Sequence, residues 1–222
     1  MLSYQNDPAL KVRFVAHVER HRVEDRLLQG LYGGLVDGEW KGCAVGCALR
    51  SLDEIDGKTR TAYQDHEALS ERLGVPLWLT RLEDSIFEGL AAEEAKLWPT
   101  RLANAMPVGR DLESVWPKLA HWLLVDPAAG VLRHARGAPS KKAIRDVAAL
   151  YQRWIDGAAK PDQGEWLKAR SAASAYAAYA ASAYAYADAS ASAADAYAYA
   201  AYARKTHWKL ISEKLCELLA AA

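Results

Sequence analysis

The sequence predicts an all-α fold, or nearly so: a multi-helix globular domain followed by a long Ala/Tyr-rich helical segment. Apolar residues recur every three or four positions between recognisable caps and stops, as on buried helix stripes. No stretch carries a convincing run of strands. Residues 171–203 consist of 19 Ala, 7 Tyr, 5 Ser and 2 Asp, and alanine is the strongest helix former.

Asp7-Pro8 reads as an N-cap with proline in the first turn. Leu10, Phe14 and Val18 then mark a buried stripe, expected to continue through Val23, Leu27 and Leu28 and to stop at Gly30. Residues 30–42 hold five glycines in thirteen positions, a loop with room for one small hairpin. A short helix is expected through Cys43–Arg50. A further helix is expected near 61–73, stopped by Gly74 and Pro76, then one carrying Trp78, Leu82 and Ile86. Pro99 is expected to open a turn of helix, Asp111 to cap a segment with Val115 and Leu119, and Ser140 to cap a helix ending at Gly157.

The linker 158–164 is the candidate boundary. It separates a helical core domain, residues 1–160 with the glycine-rich loop 30–42, from the Ala/Tyr segment and C-terminal amphipathic helix of residues 161–222. At 100° per residue, six of the seven tyrosines of 171–203 fall within roughly 80° of one direction, with Ser and Asp gathered opposite. The segment reads as a packing device or oligomer seam, or as a face for a flat ligand or partner helix. It holds no basic residue, which argues against nucleic acid.

With 28 basic and 28 acidic side chains, the chain has no long-range attraction for nucleic acid or an anionic membrane. No apolar stretch approaches the ~20 residues of a membrane span. The first residues lack the charged end and apolar core of a secretory signal. Three cysteines are too few for a disulfide scaffold, so a reducing cytoplasm is the simplest setting.

The glycine loop running into Gly42-Cys43-Ala44-Val45-Gly46-Cys47 is the most distinctive feature. Glycines let backbone approach a ligand, and a helix N-terminus offers free N–H groups to an anion. Lys41 adds positive charge beside them, and Arg50 and Arg81 are further candidates. The spacing is not that of a Walker A loop. The alternative is a tight loop whose small residues serve packing. Cys43 and Cys47 share a helix face, as buried inert thiols or, with histidine, as metal ligands; at a helix N-terminus Cys43 could also be nucleophilic. His17, His21 and Glu24 share a face without forming the zincin motif. Arg81, Glu83, Asp84, Arg72 and Glu88 form a charged patch, with Asp65-His66-Glu67 nearby, suited to acid–base work or to ordinary surface pairing. No metal or other cofactor is expected.

The Gly42–Cys47 motif, Arg81-Leu82-Glu83-Asp84 with Phe87-Glu88-Gly89-Leu90, Trp116-Pro117 and Trp122-Leu123-Leu124 resemble a family of uncharacterised bacterial and phage proteins. The resemblance covers about residues 10–155 and extends to His21, Asp25, Trp98-Pro99 and Asp126-Pro127. It implies a genomic setting and no chemistry. Where the family pattern has Gly-Lys-Gly-Cys, this chain has Trp40-Lys41-Gly42-Cys43, so Trp40 would narrow any ligand loop.

Two functions are therefore expected from different classes. The first is a non-enzymatic binding protein holding a small anionic, nucleotide-like ligand with His21, Asp25, Trp40, Lys41, Gly42, Cys43, Arg50 and Arg81; a phage setting would make a host defence signal the candidate ligand. The second is an interaction or inhibitor module acting through the Ala/Tyr helix on a protein partner or a second copy. An enzyme of hydrolase type using His21, Asp25 and Cys43 is the weaker alternative.

Overall fold

The computed structural model describes residues 1–58, 62–135, 137–169 and 193–222, with side chains in the last stretch from Lys205 onward. The fold is mostly α, as the sequence predicts, with one two-stranded antiparallel sheet. Helices α1 (Pro8–Val23), α2 (Ala44–Asp56), α3 (His66–Leu73), α4 (Leu77–Gly89), α5 (Ala92–Ala105), α6 (Val115–Val125), α7 (Ala138–Ile155) and α8 (Ala193–Ala220) follow in order; strands β1 (Gly34–Val36) and β2 (Glu39–Lys41) lie between α1 and α2. Among the described residues no helix is long and apolar enough to cross a membrane.

The chain forms two compact units. One comprises Met1–Val115 with Arg204–Ala222, the other Trp116–Ala203. In the first, α1 and α5 flank α2, and α3 and α4 complete the layer around it. Its core holds Phe14, Val18, Leu49, Leu52, Leu69, Leu79, Ile86, Phe87, Trp98 and Leu102, all essentially inaccessible. The C-terminal turns of α8 add Ile211, Leu215 and Leu219 to this core. In the second, α7 and the stretch 163–169 are joined by the Tyr151 and Trp166 rings, 4.7 Å apart, and by Arg153 on Glu165 at 2.8 Å.

Helix α1 starts as expected: the Asp7 carboxylate accepts from the Ala9 amide at 2.7 Å, and Pro8 follows it. It ends at Val23, short of Gly30. Asp25 adopts a left-handed φ of 52°, while the Asp25 amide donates to the Arg22 carbonyl and the Arg26 amide to the His21 carbonyl. These two bonds make a Schellman stop, with aspartate where glycine is usual. The turn throws residues 26–28 back beside Gly42: the Gly42 amide donates to the Arg26 carbonyl and the Leu28 amide to the Gly42 carbonyl, each at 2.9 Å. The apolar residues Leu27 and Leu28 thus belong to an extended strip, and their helical spacing is coincidental.

The small hairpin is present. Asp37 and Gly38 both have positive φ, 51° and 81°, as a type I′ turn needs, and Leu35 faces Trp40 across it. Helix α2 runs six residues beyond Arg50, to Asp56, because Leu49, Ser51, Leu52 and Asp53 are buried. Helix α3 begins at His66, capped by Asp65 on the Ala68 amide at 2.8 Å. Pro99 lies inside α5 and opens nothing. Trp98 beside it is fully buried and donates from Nε1 to the Glu83 carbonyl at 3.1 Å, so packing outweighs the lost helix hydrogen bond. Asp111 caps only a local turn, accepting from the Glu113 amide, and α6 starts at Val115. Helix α7 starts at Ala138, three residues before Ser140 would allow.

The boundary expected at 158–164 lies inside the second unit. The one-sided distribution of tyrosines, and the choice between one helix and a hairpin, fall mostly on residues 170–192, outside the described residues. Residues 193–203 are helical and continue without a break into the C-terminal amphipathic stretch.

Candidate functional site

The Schellman turn and the hairpin bring the end of α1, β2 and the start of α2 together. Gly42 and Gly46 are what allow this closeness. A Cβ on Gly42 would sit 2.6 Å from the Tyr32 carbonyl oxygen, and one on Gly46 would collide with the same atom. The glycine loop is therefore clamped on the first turns of α2, with the Cys43 amide donating to the Leu31 carbonyl at 2.5 Å. Each side of this junction carries a cavity.

The first cavity, about 330 Å³, is lined by Glu24, Arg26, Glu39, Trp40 and Arg50. The Trp40 indole rests on glycine backbone: a Cβ on Gly33 would lie 3.0 Å from its Cζ2, and one on Gly42 2.9 Å from its Cη2. The Arg50 guanidinium carbon stands 4.4 Å from the ring centroid, a cation–π contact. Tyr63 meets the indole edge-on at 5.2 Å and the His21 ring lies 5.8 Å away, tilted by 49°. Arg26 pairs with Glu24 at 2.7 Å; Arg50 pairs with Glu54 at 3.3 Å, and Arg20 also binds Glu54.

His21 has no exposed surface, and neither ring nitrogen has a hydrogen-bond partner. Trp40 Nε1 is likewise buried and unpartnered. Burial is the main cause that pushes the His21 imidazole down to about 4; Glu54 opposes it, while Arg26, Arg20 and Arg50 add to it. The ring is therefore neutral at physiological pH and offers one donor and one acceptor.

The second cavity, about 290 Å³, is lined by Gly30, Leu31, Tyr32, Cys43, Asp84 and Glu88. It is acidic. Glu88 accepts from the Gly30 amide, the Tyr32 hydroxyl approaches Asp84 at 3.4 Å, and His66 Nε2 lies 3.6 Å from the same carboxylate. Burial, aided by Asp84, pushes the Cys43 thiol up to about 12, and burial raises the Cys47 thiol as well. Neither thiol supplies a thiolate at neutral pH, so a nucleophilic role has no electrostatic support. The carboxylates also set a negative field at the start of α2, opposing an anion there.

Among the eight residues singled out from sequence, Trp40 and Arg50 line the first cavity, with His21 behind Trp40. Cys43 lines the second cavity, and Gly42 lies against the Trp40 ring and the Tyr32 carbonyl. Lys41 pairs with Asp25 at 3.2 Å, and Lys96 with Asp25 at 2.8 Å, an exposed cluster that steadies the Schellman turn. Arg81 lies apart, exposed and paired with Glu67 at 2.8 Å. His17 pairs with Glu54 at 3.3 Å. Among the described residues no group of His, Cys, Asp and Glu is arranged to hold a metal ion. Sequence reasoning missed Arg26 and Glu39 as cavity residues, because only the turn at Asp25 and the hairpin pairing bring them to Arg50.

Glu83 is a displaced carboxyl. It is 7% exposed, and burial with the nearby Asp84 charge raises it to about 8. The folded state therefore holds an extra proton between the ordinary carboxylate range and pH 8, and stability falls as pH rises through that window. Glu83→Gln is expected to gain stability over the parent chain between pH 5 and pH 9, by about 1–3 kcal/mol. Urea melts at the two pH values measure this.

No family model, curated protein or solved structure matches the chain.

Proposed function

We propose that this protein is a binding protein that holds a small anionic ligand in the cavity formed by Arg26, Trp40 and Arg50. The observation that carries the reading is a concave site lined by two arginines, Arg26 and Arg50, with the Arg50 guanidinium over the Trp40 ring. Guanidinium groups suit phosphate and carboxylate because their donors form a planar fork, and an aromatic wall suits a flat organic group. A volume of about 330 Å³ sits at the small end of ligand pockets, roughly 300–1,000 Å³. Arg26 and Arg50 already hold Glu24 and Glu54, and Glu39 also lines the cavity; an incoming anion would have to take the guanidiniums from these carboxylates, which favours a ligand that binds both arginines at once.

A thermal-shift panel of inorganic phosphate, pyrophosphate, mono- and cyclic nucleotides and ADP-ribose derivatives tests the proposal. A ligand at 100 times its dissociation constant adds about 2.7 kcal/mol, so a true ligand raises the melting temperature by several degrees. Arg50→Ala is expected to abolish that rise. A flat response across the panel contradicts the proposal.

A further inference from the structure

We infer that Trp40 is a movable wall: when the indole leaves its glycine bed, the cavity extends to the His21 ring and takes a planar nitrogen heterocycle bearing an anionic group, a ligand of the nucleotide class. The inference rests on the proposed anion site and adds its recognition element. Three unpartnered buried nitrogens, both of His21 and Nε1 of Trp40, belong to two rings in contact. Buried polar groups are nearly always hydrogen-bonded, and an unpaired one costs roughly 1–3 kcal/mol. Three in one place are costly in the closed form; departure of the indole would free its Nε1 to meet water, and a ligand edge would satisfy a His21 nitrogen.

The geometry supports movement of the indole. No hydrogen bond holds Trp40 Nε1, and the bed beneath the ring is glycine backbone. The hairpin that carries Trp40 has three residues in each strand, and an isolated two-stranded ribbon is marginal on its own. Displacement would also free Arg50 from the ring face for the anionic group. The neutral His21 ring then offers one of its nitrogens, donor or acceptor according to the tautomer, to the heterocycle edge.

Calorimetric titration with AMP and with pyrophosphate, on the parent chain and on His21→Leu and Arg50→Ala, tests the inference. Indole ¹H–¹⁵N spectra, with the Trp40 signal identified by Trp40→Phe, accompany it. AMP is expected to bind at least tenfold tighter than pyrophosphate and to shift the Trp40 indole signal. His21→Leu is expected to reduce that affinity ratio at least tenfold. A ratio unchanged by His21→Leu, with both probes weakened by Arg50→Ala, overturns the movable wall and leaves the anion site standing. Failure of both probes to bind the parent chain overturns both.

Discussion

Gly46→Ala is expected to lower the melting temperature by several degrees, although alanine is the better helix former. Within a helix the exchange gains up to about 1 kcal/mol from propensity. Here the new methyl would collide with the Tyr32 carbonyl oxygen, which is backbone and can retreat only if the glycine loop moves. Overpacking of this kind costs roughly 1–3 kcal/mol or more, so the loss exceeds the gain. At about 2–4 °C per kcal/mol for a chain of this size, calorimetry resolves the shift. An unchanged or higher melting temperature would mean that the loop does not rest on α2. The same variant is expected to weaken any ligand, because the loop forms the bed of Trp40.

The second large effect concerns pH. His21 is buried and neutral, and its folded pKa lies near 4, below the usual value of about 6.5. Between those limits the unfolded chain binds the extra proton, so stability rises with pH across that window and falls as pH drops through it. The contribution reaches about 3 kcal/mol at the acid end. His21→Leu removes the titration and replaces an unpartnered imidazole with a hydrocarbon, an exchange that is close to neutral or stabilising at pH 7. The variant is therefore expected to unfold at higher urea concentration than the parent at pH 4.5, with the difference shrinking towards pH 7.5. Equal acid sensitivity in the two proteins would remove His21 as the cause. Glu83 acts in the opposite direction over pH 4.5–8, so the acid loss is cleanest in a Glu83→Gln background.

These two residues also show how much was legible beforehand. Gly46 lies in the most distinctive motif of the sequence, and small residues packing a loop on a helix are one of the two readings that motif allows. What no spacing rule reveals is that the loop's own Tyr32 carbonyl occupies the space. The helical class was readable because stripes such as Leu10, Phe14 and Val18 point to the core they occupy. The end of α1 was not, because its stop uses aspartate in the left-handed region, where glycine is the usual signal. That one turn decides the site: it moves Arg26 beside Arg50 and leaves Asp25 as an anchor for Lys41 and Lys96. Charge along the chain likewise gives no hint that Asp84 and Glu88 surround Cys43, because the pairing of α4 with the glycine loop is a long-range contact.

The removal of a buried unpartnered histidine is expected to stabilise the chain in the absence of ligand, and its presence to improve recognition when ligand arrives. Such opposition between stability and binding is common where polar groups are held ready for a partner.

A small anion held in the Arg26–Trp40–Arg50 cavity would perturb the backbone around it. Amide chemical shifts recorded while adding the probe that gives the largest thermal shift test this most directly. The account predicts that the largest changes fall at Arg26, Glu39–Gly42 and Arg50. Changes centred on Gly30–Tyr32, Asp84 and Glu88, or spread without focus over the surface, would contradict it.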